Sequence, residues 1–167
     1  MTTSAVLPET RSALTRPMNE WCFFLLENLD EFAKLAWYLV VDTALVECVM
    51  VRVLDRLQNI PFSASDRVVT YNQARDTLIG EAIAVLNLTQ QGYVETGVRL
   101  TGTVGLCDLP DLPRLAFLLK LVLLMPESQV ARLLNVPPSS VSELIGCAVY
   151  QLSHRLPTSS NAIIADV

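Results

Sequence analysis

The stretch MPESQVARLLNVPPSSVSELIGCAVYQL, residues 125–152, constrains the fold of this chain most. Pro126 and Glu127 suit the first turn of a helix: proline is tolerated there, and a carboxylate favours the positive end of the dipole. That helix is expected over Glu127–Leu134. Asn135 can take the left-handed conformation that closes a helix. Pro137 and Pro138 then form a rigid turn. Ser140 is expected to start the next helix, with Glu143 three residues on, the spacing of a capping box. Two short helices on a tight turn have the helix-turn-helix layout. Yet residues 140–152 contain no Lys or Arg, and Glu143 is their only ionised side chain. Leu144, Ile145, Val149 and Tyr150 make that helix apolar on more than one side, which fits a protein interface better than a nucleic-acid groove.

The rest of the chain also reads as helical. From Glu20 towards Val41, Leu29, Phe32, Ala36, Leu39 and Val40 recur at spacings of three and four, the pattern of one buried face. Asp42 is placed to cap a following helix that carries the rows Leu45-Val49-Val53-Leu57 and Val46-Met50-Leu54. Pro61 should follow its end. A third long helix is expected to start at Ser65 or Asp66, with Val69, Ala74, Leu78, Ile79, Ala82 and Leu86 as its buried stripe. Residues 89–108 hold most of the glycines and read as a linker, a short hairpin being the alternative. The apolar run 115–125 is too short to span a membrane, which takes about 20 apolar residues, and reads as a buried core helix. The expected organisation is a lead at 1–18, a helical domain at 19–88, the linker at 89–108, a helix-turn-helix domain at 109–155 and a tail at 156–167. The fold class is all-α, two small helical domains.

Charge narrows the function. The chain has 17 Asp plus Glu against 12 Lys plus Arg. A nucleic-acid binder draws most of its affinity from cations on phosphates, so this balance argues against DNA as a tight partner. One His and four scattered cysteines, Cys22, Cys48, Cys107 and Cys147, do not make a zinc site. Reduced structural thiols in a cytoplasmic protein are expected, with Cys48 and Cys147 packing as small hydrophobes. The first twenty residues lack the continuous apolar run of a signal peptide. No glycine-rich phosphate loop and no paired nucleophile and base are present, so no catalytic residue, cofactor or small-molecule substrate is assigned. Glu27, Asp30 and Glu31 form an acidic cluster that reads as a solvated helix face.

Residues 109–152 resemble the C-terminal promoter-binding domain of bacterial RNA polymerase sigma factors of the extracytoplasmic-function class. Leu109, Pro110 and Asp111 match the family's Leu-Pro-Glu-like step, and Ala116 to Leu119 match its apolar helix. Val130, Ala131, Leu134, Asn135 and Val136 match its Ile-Ala…Leu-Gly-Val core, and Val141, Ala148 and Leu152 fall on its remaining core positions. DTALVECVMVRVLDRL, residues 42–57, is similar to the family's Asp…Ala-Glu-Asp-Val-Val-Gln-Glu-Val-Phe-Leu-Arg-Leu helix, with Asp42, Glu47, Val49, Val53, Arg56 and Leu57 in agreement. Ala74 and Arg75 echo the Ala-Arg-Asn of the family's next helix.

The resemblance implies a polymerase-binding face at Glu47, Cys48, Val51, Arg52 and Asp55. It implies DNA-contacting positions at Ser139, Ser140, Ser142, Glu143 and Tyr150, and at Arg67, Tyr71 and Arg75. The departures fall on these surfaces. Cys48 and Val51 stand where the family has polar contacts, and residues 140–152 lack the family's cations. Two readings follow. One is a sigma-factor-like transcription-initiation protein that joins polymerase core and promoter DNA with reduced DNA contacts. The other is a degenerate sigma-like interaction module, with polymerase or an anti-sigma-like protein as partner and no DNA binding of its own. Neither reading involves catalysis or a membrane.

Overall fold

The structure, a computed structural model, describes residues 20–90 and 105–155, the side chains at 88, 89 and 155 excepted. These residues are all-helical and contain no strand. The expected lead, the tail and the middle of the expected linker lie outside them.

The helical region from Glu20 divides into α1 (Glu20–Glu27) and α2 (Leu29–Val40). The break is Asn28, whose side-chain amide donates back to the Phe24 carbonyl at 2.7 Å. Such local side-chain bonds compete with the helical ladder. Phe32, Ala36, Leu39 and Val40 are buried as the periodicity predicts, but Leu29, just past the break, is exposed. α2 stops at Val41, which is left-handed at φ 53° and donates its N–H to the Trp37 carbonyl at 2.7 Å. The next residue, Asp42, begins the capping of α3 (Thr43–Leu57) through a 3.1 Å bond from the Leu45 N–H. The two helices therefore join through a two-residue corner.

Along α3 the row Leu45, Val49, Val53 and Leu57 is buried, while Val46, Met50 and Leu54 pack at its margin. α4 (Arg67–Gln90) starts behind Asp66, whose carboxylate accepts from the Val69 N–H at 2.9 Å. Ala74, Leu78, Ile79, Ala82 and Leu86 form its inner stripe. Val69, expected in that stripe, is 52% exposed: the inward position of the first turn is taken by Thr70, in line with Ala74 and Leu78, and Val69 points to the outer side. α4 runs to Gln90, two residues into the expected linker, and packs against both α2 and α3.

The C-terminal part opens with a single 3-10 turn, Leu106–Asp108, and then α5 (Asp111–Phe117). The expected core helix over 115–125 is shorter than its composition suggests. It widens into a π-turn at Leu118–Val122 and closes at Leu124, left-handed at φ 56°. The Met125 N–H reaches the Leu119 carbonyl at 3.0 Å, six residues back and one more than in a Schellman closure, as the wider π-turn before it requires. Leu118 and Leu119 are buried, whereas Leu121, Val122 and Leu124 face outward.

α6 (Glu127–Leu134) ends on Asn135 at φ 54°, as its sequence predicts. α7 (Pro138–Arg155) begins two residues before Ser140. Ser140 is thus inside the first turn and forms no capping box with Glu143. Proline's fixed φ suits the first helical position, so Pro138 pre-empts the serine. α7 packs on α5 and α6.

One apolar core runs through both parts, from Trp21 and Phe32 to Val130 and Val141. Arg114 crosses between them: its side chain is fully buried, and its guanidinium donates to the Leu39 carbonyl at 3.1 Å, the Leu109 carbonyl at 3.1 Å and the Asp111 carboxylate at 2.8 Å. The Leu39 carbonyl sits at the negative end of α2, where a cation is favoured.

Candidate functional site

Three surfaces carry the residues that the sequence marks as functional. On α3, Glu47, Val51 and Asp55 recur every four residues and form one exposed stripe, with Val51 69% exposed. Glu47 and Asp55 have no ion-pair partner among the described residues. Cys48 lies half-buried beside this stripe. Arg52 turns the other way, towards α4, where its Nε bonds Glu81 at 2.7 Å. Arg56, one turn on, bonds the second oxygen of Glu81 at 2.9 Å. The Glu81 carboxylate is only 8% exposed, and two guanidinium donors satisfy it.

On α4, Arg67, Tyr71 and Arg75 also recur every four residues, and each meets a carboxylate. Arg67 pairs with Glu27 of α1 at 2.9 Å. The Tyr71 hydroxyl donates to Glu31 of α2 at 2.5 Å, and its ring stacks on Phe32 at 5.3 Å. Burial, with the hydrogen bond and the charge of Glu31 adding to it, pushes the Tyr71 phenol up to about 12; Arg75 acts weakly in the other direction. Arg75 meets its neighbour Asp76 at 3.2 Å. Two members of the acidic cluster expected to be a solvated face, Glu27 and Glu31, are therefore the residues that engage α4. No short-range pattern reveals this, since the partners lie 40 residues apart. The Arg67–Glu27 pair is exposed and adds little to stability, whereas Tyr71 is half-buried; together the contacts place a carboxylate beside each of the three α4 residues.

On α7, Ser139, Ser142, Glu143, Val149 and Tyr150 face outward, and Ser140 is half-buried. Leu144 and Ile145, expected among the outward apolar residues, pack partly against the core and leave Val149 and Tyr150 as the exposed pair. The Tyr150 ring lies 4.0 Å from the imidazole of His154. Cys147, expected to pack as a small hydrophobe, is exposed and accepts a bond from Gln151 at 3.3 Å. It falls on the outer side of α7, away from the buried Val141 and Ala148.

No group of three or more His, Cys, Asp or Glu side chains among the described residues is arranged to hold a metal ion. No described helix is long and apolar enough to cross a membrane. No protein-family model matches the chain, and a comparison with curated proteins gives no significant relative.

Proposed function

We propose that this chain is a sigma-like transcription-initiation protein that acts through protein contacts, docks on RNA polymerase core through α3, and holds promoter DNA poorly by itself. The observation that carries this reading is how its charges are spent. Arg67, Tyr71 and Arg75 are engaged by carboxylates of the same chain. The exposed face of α7 carries Glu143 and no cation from Ser139 to Tyr150. Phosphate contact requires cations that are free to replace counterions. The α3 stripe, in contrast, offers two carboxylates without an ion-pair partner among the described residues, around an exposed valine, a surface suited to a basic partner with an apolar centre. The reading is of a non-enzymatic protein of the cytoplasm.

A second reading, a degenerate sigma-like regulator whose partner is an anti-sigma-like protein, is favoured by Val149 and Tyr150, exposed where a DNA-reading helix needs polar or basic groups. The experiment that separates them mixes the full chain with purified core polymerase and follows complex formation by sedimentation. Binding that drops at least about tenfold on Glu47→Lys with Asp55→Lys supports docking through α3, since charge reversal within an interface costs several kcal/mol. Unchanged binding removes α3 as the contact, and no binding by the unaltered chain leaves the second reading.

A further inference from the structure

A cavity of about 280 Å³ opens where α1, the loop 58–66 and the first turn of α4 meet. Phe23, Phe24 and Phe62 supply aromatic walls, and Glu20, Glu27 and Arg67 stand on its rim. Its shape is held from behind. The Trp21 indole donates to the Ile60 carbonyl at 2.8 Å, and its ring meets Phe62 edge-on at 5.0 Å. The buried Thr70 hydroxyl lies 2.8 Å from the Ser63 carbonyl and 3.0 Å from that of Asp66. The loop is thus tied at both ends to helices, and the cavity is built into the fold.

We propose that this cavity is a recognition pocket for a cationic side chain, lysine or arginine, of a partner protein. The charge of the rim selects the cation. Arg67 is already bonded to Glu27 at 2.9 Å, which leaves the Glu20 carboxylate without a partner among the described residues. The walls add to this: the negative face of a phenyl ring attracts a cation, and the carbon stem of lysine or arginine lies well along such rings. Phe23 is 55% exposed, a large apolar surface left at the mouth, where an entering stem would cover it. The volume falls just under the roughly 300–1,000 Å³ of pockets for whole small molecules and suits one long side chain. A nucleotide fits less well, because its phosphate meets the Glu20 carboxylate on a chain of net charge −5. The inference does not depend on polymerase docking through α3.

The test is an NMR titration of the isotope-labelled full chain with Nα-acetyl-arginine methylamide, and with the citrulline analogue, which keeps the shape and lacks the charge. The arginine probe is expected to shift Ala64, Thr70 and the rings of Phe23 and Phe62 saturably, and to bind about threefold or more tightly than citrulline, the range of an exposed cation–π contact. Glu20→Gln should weaken the arginine probe about threefold, the range of an exposed ion pair, and leave citrulline unchanged, while Phe23→Ala should weaken both. Glu20 and Phe23 are exposed on α1, so both variants keep the core. Equal binding of the two probes, no saturable shift, or displacement of the arginine probe by thymidine 5′-monophosphate each overturns the proposal.

Discussion

The phenolic hydroxyl of Tyr71 on α4 donates to the carboxylate of Glu31 on α2 at 2.5 Å. This bond joins two helices of one bundle and uses a residue that the resemblance assigns to promoter DNA. Because burial and Glu31 hold the phenol at about 12, Tyr71 should stay protonated through the range where exposed tyrosines ionise, around pH 10. The folded state then favours the protonated phenol. That stability is fully present below the unfolded value near 10 and is lost as pH rises through the folded value near 12. Ultraviolet difference titration should show a late-ionising component that Tyr71→Phe removes and that Glu31→Gln moves earlier. A titration in which Tyr71→Phe removes no component above pH 10 rejects the bond.

Arg114 should be the most sensitive charged position in the chain. It is fully buried, and its donors reach Leu39 from one part of the molecule and Leu109 and Asp111 from the other. Arg114→Ala should cost about 3–5 kcal/mol, because it breaks a buried charged network and leaves carbonyls without donors. Arg114→Lys should also destabilise, since an ammonium cannot reproduce the planar fork. Urea unfolding followed by far-UV circular dichroism checks both. A loss under about 1 kcal/mol would mean that the network contributes only what an ordinary hydrogen bond does.

Two left-handed residues invite opposite outcomes. Leu124 is 80% exposed at φ 56°, at a position that usually holds glycine. A side chain there costs roughly 1–2 kcal/mol, against roughly 0.5–1 lost to glycine's greater chain entropy. Leu124→Gly should therefore raise stability slightly. Val41 is also left-handed, at φ 53°, but 97% of it is buried, since it is 3% exposed. Val41→Gly relieves the strain and removes a buried side chain worth about 1.5–3 kcal/mol, so it should destabilise. Thermal melts of the two variants should move in opposite directions.

What the sequence made legible was local. Asp42 caps α3 and Asn135 closes α6, because each acts on backbone within a few residues. The inner rows of α3 and α4 follow from helical period alone. The capping box at Ser140 failed because a competing local rule, proline at the first helical position, acted two residues earlier. The run 115–125 misled because composition does not say where a helix will widen into a π-turn and show its leucines. The engagement of α4 by Glu27 and Glu31 was out of reach, since it depends on how α1 and α2 lie against α4. The burial of Arg114 was hidden for the same reason: it stands just before the apolar run, and only the packing of α5 on α2 makes it a core residue.

The outward face of α7 yields the last prediction. Ser142 and Val149, two turns apart, lie on one side of the helix with Glu143 exposed beside Ser142, and Val149 is 47% exposed. With no cation on that face, the full chain should bind duplex DNA no more tightly than about 10⁻⁴–10⁻⁶ M in fluorescence anisotropy, the range of non-specific binders at physiological salt. If missing charge is the defect, Ser142→Lys with Val149→Arg should bind more tightly, and the slope of log affinity against log salt should steepen by about two, roughly 0.9 for each phosphate gained. Neither substitution touches the buried Val141 and Ala148, so the helix should keep its seat on α5 and α6. Tight, salt-sensitive binding by the unaltered chain would contradict the assignment of α7 to protein contact. A double variant that folds and gains nothing would mean that the shape of this face, with Tyr150 standing 63% exposed beside His154, is closed to the duplex as well.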